Sequence, residues 1–237
     1  MLTNHRRAFR FSFGLLVSLV FLLVAVGRHP ETQAPVTNLA FIGEFDAMVE
    51  RWADDVRNGV LTGFCTFLSV IGGGLVTIPL RFVVSAWLLF RRRFVAFSAF
   101  VLTWVASEAL LTWLKIFFHR GRPPDPLVTV NGFSFPSGHA VAGAALAVAV
   151  VLVALPPGPE RRKWERVAMA FTFVMALSRV YLSAHWFSDV VTGVVLGAGI
   201  AIGSAALVTE VTNVLSARGV IKRPETPPGD PLDPRLQ

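Results

Sequence analysis

The chain has 237 residues, 54% of them hydrophobic and only 16% charged, and its mean hydropathy is positive. A water-soluble domain of this length carries nearer a quarter of charged residues, so the composition excludes one and points to an integral membrane protein. The single cysteine, Cys65, excludes an internal disulfide framework and any cysteine-based metal cluster.

The first apolar run, residues 11–26, follows Arg6, Arg7 and Arg10. A basic start before an apolar core also fits a secretory signal, with Ala25-Val26-Gly27 as a faint cleavage site. A retained helix is the stronger expectation, because the rest of the chain is equally suited to a bilayer. In residues 41–56, Phe41, Phe45, Met48, Val49, Trp52 and Val56 recur at helical spacing. Glu44, Asp46, Glu50, Asp54 and Asp55 lie opposite, which predicts an amphipathic helix on the membrane surface or capping the bundle.

Residues 60–90 are too long for one ordinary span and are broken by Gly72-Gly73-Gly74. An interfacial or re-entrant entry is expected there, followed by a span over 75–90 that ends at Arg91-Arg92-Arg93. Further spans are expected at 94–114, 140–155, 167–182 and 190–208, each near the roughly 20 residues that cross a hydrocarbon core. The proline-rich end is expected to be disordered. The predicted fold is therefore all-α: a six-span transmembrane helix bundle with an amphipathic surface helix between spans 1 and 2. One membrane-embedded domain occupies 11–210, between a short N-terminus at 1–10 and a tail at 211–237.

Six spans put both termini on one side. That side holds Arg6, Arg7, Arg10, Arg91–Arg93, Arg161, Arg162, Lys163, Arg166, Arg218, Lys222, Arg223 and Arg235, 14 of the 22 Lys and Arg residues. The positive-inside rule makes it cytoplasmic, with loops 115–139 and 183–189 facing outward. This placement also explains the net charge of +7 better than a nucleic-acid groove does.

Three separated stretches reach the outer face: "KIFFHRGRP" from Lys115, "PSGH" at 136–139, and "SRVYLSAHWFSD" from Ser178. Lys115, Arg122 and Arg179 are cations suited to the oxygens of a phosphate, with arginine supplying forked donors. Ser137 and Gly138 open a helix, whose free N–H groups and positive end attract an anion. His185 and Asp189 are four apart, so the carboxylate can orient the imidazole of a nucleophile or base. His139 has no comparable acidic partner and is the better candidate to protonate a leaving oxygen. No outer-face carboxylate cluster suits magnesium, so the three cations would stand in for a metal.

Each motif alone also has a plain structural reading. Ser137 could be a helix cap, His185 and Asp189 a hydrogen-bonded pair, and Lys115 and Arg122 interfacial anchors. Together they match Lys-x6-Arg-Pro, Pro-Ser-Gly-His and Ser-Arg-x5-His-x3-Asp at every fixed position. In this the chain resembles the type 2 phosphatidic acid phosphatase family, which shares its site with the vanadium haloperoxidases. The resemblance covers about 70–210 and implies a metal-independent, cofactor-free phosphatase with a phosphohistidine intermediate on His185. It further implies that His139 is the acid, that Asp189 orients His185, and that Lys115, Arg122, Ser137, Gly138 and Arg179 bind phosphate. His119 and Arg120 fall between fixed positions and are expected at the rim, in contact with a head group. The expected substrate is a phosphate or pyrophosphate on a membrane lipid: a polyprenyl pyrophosphate, phosphatidic acid or phosphatidylglycerol phosphate. Phosphotransfer to another acceptor is the competing enzymatic reading, and a transporter lined by intramembrane charges the non-enzymatic one.

Overall fold

The computed structural model describes residues 5–27 and 37–221, and among them the only regular secondary structure is helical. Eight helices follow in chain order: α1 (His5–Val26), α2 (Ala40–Asp55), α3 (Gly59–Gly72), α4 (Gly74–Phe90), α5 (Phe94–Phe118), α6 (Gly138–Ala154), α7 (Pro159–Tyr181) and α8 (Phe187–Ala217). The all-α class is as expected. Among the described residues, three segments are long and apolar enough to cross a bilayer: 59–90, 94–118 and 187–217. The first of them is the α3–α4 pair, jointed at Gly73, whose extended backbone ends one helix and starts the next. Asn58 starts α3 by accepting a hydrogen bond from Leu61 N at 2.9 Å. At the other end of the chain α8 continues to Ala217, past the expected tail boundary at 210. Residues 222–237, where the rest of that tail falls, lie outside the described residues.

The centre of the bundle is the crossing of α6 and α8, and small residues make it possible. A Cβ placed on Gly193 would lie 2.8 Å from Ala140 Cβ and 2.9 Å from Ser137 O. One placed on Gly197 would collide with Val141 O and lie 2.9 Å from Ala145 N. Two glycines four apart thus bring one helix backbone against the other, the close approach that drives association where lipid offers no hydrophobic effect. The contact lies just beneath the N-terminal ends of both helices, so it sets the spacing of His139 and Ser137 against His185 and Asp189. We expect Gly193→Val to force the helices apart, at roughly 1–3 kcal/mol for the overpacking, and to cut activity even in molecules that stay folded. Melting and turnover in detergent check this; an unchanged Tm would show that the contact is slack.

Outside this pair, α1 packs along α8, with Val26 fully buried in one apolar cluster with Leu114, Val141 and Leu196. Leu88 and Phe100 link α4 and α5 to Leu146 and Ala149 of α6.

Two charged positions stand out. On α2, whose acids lie opposite the apolar stripe, Asp46 is 1% exposed and packs inward with Gly43 and Ala53. The apolar residues Phe41, Phe45, Met48 and Trp52 face outward instead, Trp52 with 63% of its surface exposed. The reason is the solvent. Beside hydrocarbon an apolar side chain gains little by turning inward, whereas a carboxylate must find its partners inside.

The second position is Glu108, for which the helix geometry predicts pairing with Arg81 and a place in the bundle interior. The pair is present: Arg81 Nη1 lies 2.5 Å from Glu108 Oε1, and the Arg81 guanidinium sits over the Trp104 ring at 5.4 Å. The interior placement is not, because Glu108 is 48% exposed and Arg81 only 4%. Arg81 is the buried partner that needs a counter-charge, and Glu108 reaches it from the flank of α5. Arg81→Glu and Glu108→Arg should each lower Tm, with the double exchange recovering part of the loss. Strict additivity of the two singles would mean that the contact contributes nothing.

Candidate active site

One end of the bundle gathers the C-terminal ends of α5 and α7 and the N-terminal ends of α6 and α8. At the end of α7, Arg179 O accepts from Ala184 N at 3.0 Å and His185 N at 3.3 Å, folding the chain back so that His185 sits under that turn. Ser137 N donates to Asp189 O at 3.1 Å, which ties the start of α6 to the first turn of α8. Ser137 occupies the N-cap position of α6, but its hydroxyl makes no capping hydrogen bond. Fully buried and without a partner, that hydroxyl is available to a ligand.

The two histidines meet opposite kinds of partner through Nε2. His185 Nδ1 approaches Asp189 Oδ2 at 3.7 Å, and its Nε2 lies 3.4 Å from Arg122 Nη1. A guanidinium only donates, so Nε2 presents its lone pair and the proton resides on Nδ1, towards the carboxylate. Burial pushes the His185 pKa down to about 3, so the ring is neutral at physiological pH. His139 Nε2, in contrast, lies 3.1 Å from Ser69 O, a carbonyl that can only accept. His139 therefore carries its proton on Nε2.

The three cations are held by oxygen atoms that bear no formal charge. Arg122 donates to Gly132 O at 2.9 Å, Ala184 O at 2.6 Å, Asn131 O at 2.8 Å and Phe133 O at 3.2 Å. Lys115 Nζ shares Phe133 O, at 2.5 Å. Arg179 Nη1 donates to Ser69 Oγ, and its buried Nε has no partner. Among the described residues none of the three makes an ion pair. Uncompensated positive charge beside a buried free hydroxyl and a lone-pair nitrogen suits an anion with several oxygens.

Asp189 is fully buried and densely supplied with donors. Its Oδ2 accepts from Trp186 N at 2.9 Å and from the Ser134 hydroxyl, and its Oδ1 accepts from Arg120 Nη1 at 2.6 Å. Arg120 extends the network, donating through Nη1 to Ser188 Oγ and through Nη2 to Asp46 Oδ2, both at 2.8 Å. Asp46 in turn accepts from Ser188 N at 2.8 Å and Ser188 Oγ at 2.6 Å.

The PAP2 superfamily profile matches residues 96–213, a stretch that contains every motif residue named above. The chain belongs to the PAP2 superfamily. It is 28% identical over 184 residues to phosphatidylglycerophosphatase B of Bacillus subtilis, covering 76% of this chain and 86% of the relative. To decaprenylphosphoryl-5-phosphoribose phosphatase of Mycobacterium tuberculosis it is 32% identical over 105 residues, covering 39% of this chain and 50% of that protein. Its fold is similar to that of the B. subtilis transmembrane PAP2-type phosphatidylglycerolphosphate phosphatase, with a TM-score of 0.71, 22% identity and coverage of 84% and 96% of the two chains. Aquifex aeolicus LpxE is a more distant structural neighbour, with a TM-score of 0.56, 23% identity and coverage of 68% and 94%. This PAP2 chain is a membrane hydrolase that acts on phosphoric esters.

Against the PAP2 motif pattern, one expectation fails. Arg120 does not reach a head group from the rim; only 1% of its surface is exposed, and it bridges Asp46 and Asp189. The neighbouring His119 ends α5 in a left-handed conformation, with its ring 4.2 Å from that of Phe133. Asp46, Ser69, Ser134 and Ser188 enter the network although no motif marks them. Asp46 did leave a trace, since Gly43, Asp46 and Ala53 share one helix face and small residues mark a close-packed side. Ser69 and Ser134 left none, because serines in an apolar helix and a loop carry no pattern.

Proposed function

We propose that the chain hydrolyses a phosphate ester of a membrane lipid through a phosphohistidine formed on His185. The observation that carries this reading is the opposed surroundings of the two Nε2 atoms, a guanidinium donor beside His185 and a carbonyl acceptor beside His139. The His185 Nε2 lone pair attacks phosphorus while Lys115, Arg122, Arg179, the Ser137 hydroxyl and the Gly138 N–H hold the phosphoryl oxygens. The bond from phosphorus to the lipid oxygen breaks. His139, doubly protonated once the phosphate dianion is bound, gives its Nε2 proton to that oxygen, which takes the place of Ser69 O, and is left as the neutral ring protonated on Nδ1. Asp189 holds the His185 Nδ1–H and stabilises the charge that the ring gains. A water activated by His139 then attacks the phosphohistidine and releases phosphate. Fixed cations do the electrostatic work, so the reaction is proposed to need no metal.

The proposed topology has six crossings, both termini in the cytoplasm and the site on the extracytoplasmic side. The distribution of basic residues supports it, with Arg91–Arg93 and the Arg161–Arg166 cluster at the bundle end opposite the histidines. The relative that matches most of both chains is named for phosphatidylglycerophosphate, which puts that lipid first among candidates.

The test is release of inorganic phosphate by purified protein in detergent, with EDTA present, from phosphatidylglycerol phosphate, phosphatidic acid and a polyprenyl pyrophosphate. We expect turnover insensitive to EDTA, fastest on one of these lipids. Loss of activity in EDTA that added magnesium restores would overturn the metal-free mechanism, and transfer to an alcohol without phosphate release would identify a transferase.

A further inference from the structure

The PAP2 motifs account for Asp189 and His185, but not for the second carboxylate behind them. Arg120 stands between Asp46 and Asp189 at 2.8 Å and 2.6 Å, with all three side chains no more than 2% exposed. A single arginine facing a single carboxylate would make a neutral pair, and a neutralised Asp189 would do little for positive charge on His185. The second carboxylate changes the balance. Two negative groups sharing one guanidinium leave a net charge of −1, which the imidazolium formed during phosphoryl transfer can match. Asp46 also occupies the far edge of the guanidinium, so Arg120 engages only Asp189 Oδ1 and leaves Oδ2 to Trp186 N and Ser134, with His185 Nδ1 facing it at 3.7 Å.

We infer that Asp46, delivered from the amphipathic helix α2, is a positioning residue for the reaction, acting through Arg120 to keep Asp189 a strong, correctly aimed partner of His185. This rests on the proposed role of His185 as nucleophile. A surface helix whose outer side is apolar thereby contributes a charge to the chemistry. The competing explanation is that Asp46 merely pins α2 to the bundle.

The two differ in kinetics, and the variants are Asp46→Asn and the double exchange Asp46→Asn with Arg120→Gln. The double exchange removes one charge of each sign, so a pin would be largely restored by it. Melting temperature, kcat and KM are measured in detergent on a short-chain phosphatidic acid, with His185→Ala alongside. We expect Asp46→Asn to melt within a few degrees of wild type with kcat down about 10–100-fold, the usual cost of losing a group that orients a functional histidine, and KM within about twofold. The double exchange, which keeps the net charge of −1, should lose less kcat than the single. A folded Asp46→Asn with wild-type kcat would overturn the inference, as would a loss confined to KM. Failure of Asp46→Asn to fold would also overturn it, by showing a pin. If His185→Ala itself keeps turnover, the phosphohistidine reading fails whatever Asp46 does. If His185→Ala is inactive while folded Asp46 variants match wild type, only the present inference fails.

Discussion

Replacing His185 by alanine is expected to reduce turnover by at least about 10³-fold, because removing a member of a nucleophilic unit leaves only binding and electrostatics. Phosphate or vanadate binding to that variant should survive in part, since Lys115, Arg122, Arg179 and Ser137 remain. The effect of His139→Ala should depend on the leaving group. Loss of a general acid costs about 10²–10⁴-fold where the leaving oxygen needs its proton, as a lipid alcohol does. An activated aryl phosphate needs no such help and should be turned over far better by the same protein. Comparing kcat for the two substrates in the two variants tests the division of labour. Equal losses on both substrates in His139→Ala would remove the acid assignment, and wild-type turnover in a folded His185→Ala would remove the mechanism. Because burial holds the His185 pKa at about 3, the ring stays neutral as pH falls from 8 to 5. The loss in His185→Ala should accordingly be the same at both ends of that window.

The second large effect is on stability, at Arg120. Arg120→Gln leaves Asp46 and Asp189 facing each other with no cation between them, both 1% exposed or less. Breaking a buried pair in this way typically costs roughly 3–5 kcal/mol, enough to be read as a large fall in Tm. The loss should shrink at lower pH. Burial already holds the Asp46 carboxyl above its ordinary value with Arg120 beside it, and without Arg120 the value rises further. Lowering the pH from 7 to 5 then protonates a carboxylate that could not be ionised comfortably, and part of the stability returns. A variant as stable as wild type at pH 7, or one that loses stability faster in acid, would show that the bridge is not what holds these groups.

Much of this site could be read before any coordinates existed, because its residues occupy the ends of apolar runs. Lys115 closes one run, His139 opens the next, and Arg179 and His185 flank a turn. Alternation of direction then delivers all of them to one end of the bundle. What could not be read depends on contacts without a pattern. Asp46 and Arg120 are 74 positions apart, in a surface helix and a loop, and nothing local to either announces the other. The amphipathic pattern of residues 41–56 left open whether the apolar stripe meets lipid or the bundle, and so did not say which way Asp46 turns. Next to lipid the stripe marks the outside, and the carboxylate turns inward. Glu108 shows the same limit from another side: helix rise placed it level with Arg81, but rise alone does not say which flank it approaches from.

The glycine contact between α6 and α8 has a mechanical meaning. Side chains that separate helices act as springs, able to change rotamer and let the axes slide when bilayer thickness or lateral pressure changes. At Gly193 and Gly197 there are none, and carbonyl and amide groups of one helix rest on the other. Such a joint resists shear, so its geometry is insensitive to the lipid around it. Deformation of the membrane should be taken up elsewhere, above all at the extended link between α3 and α4. The two histidine rings are thus mounted beside the stiffest part of a molecule whose surroundings are fluid.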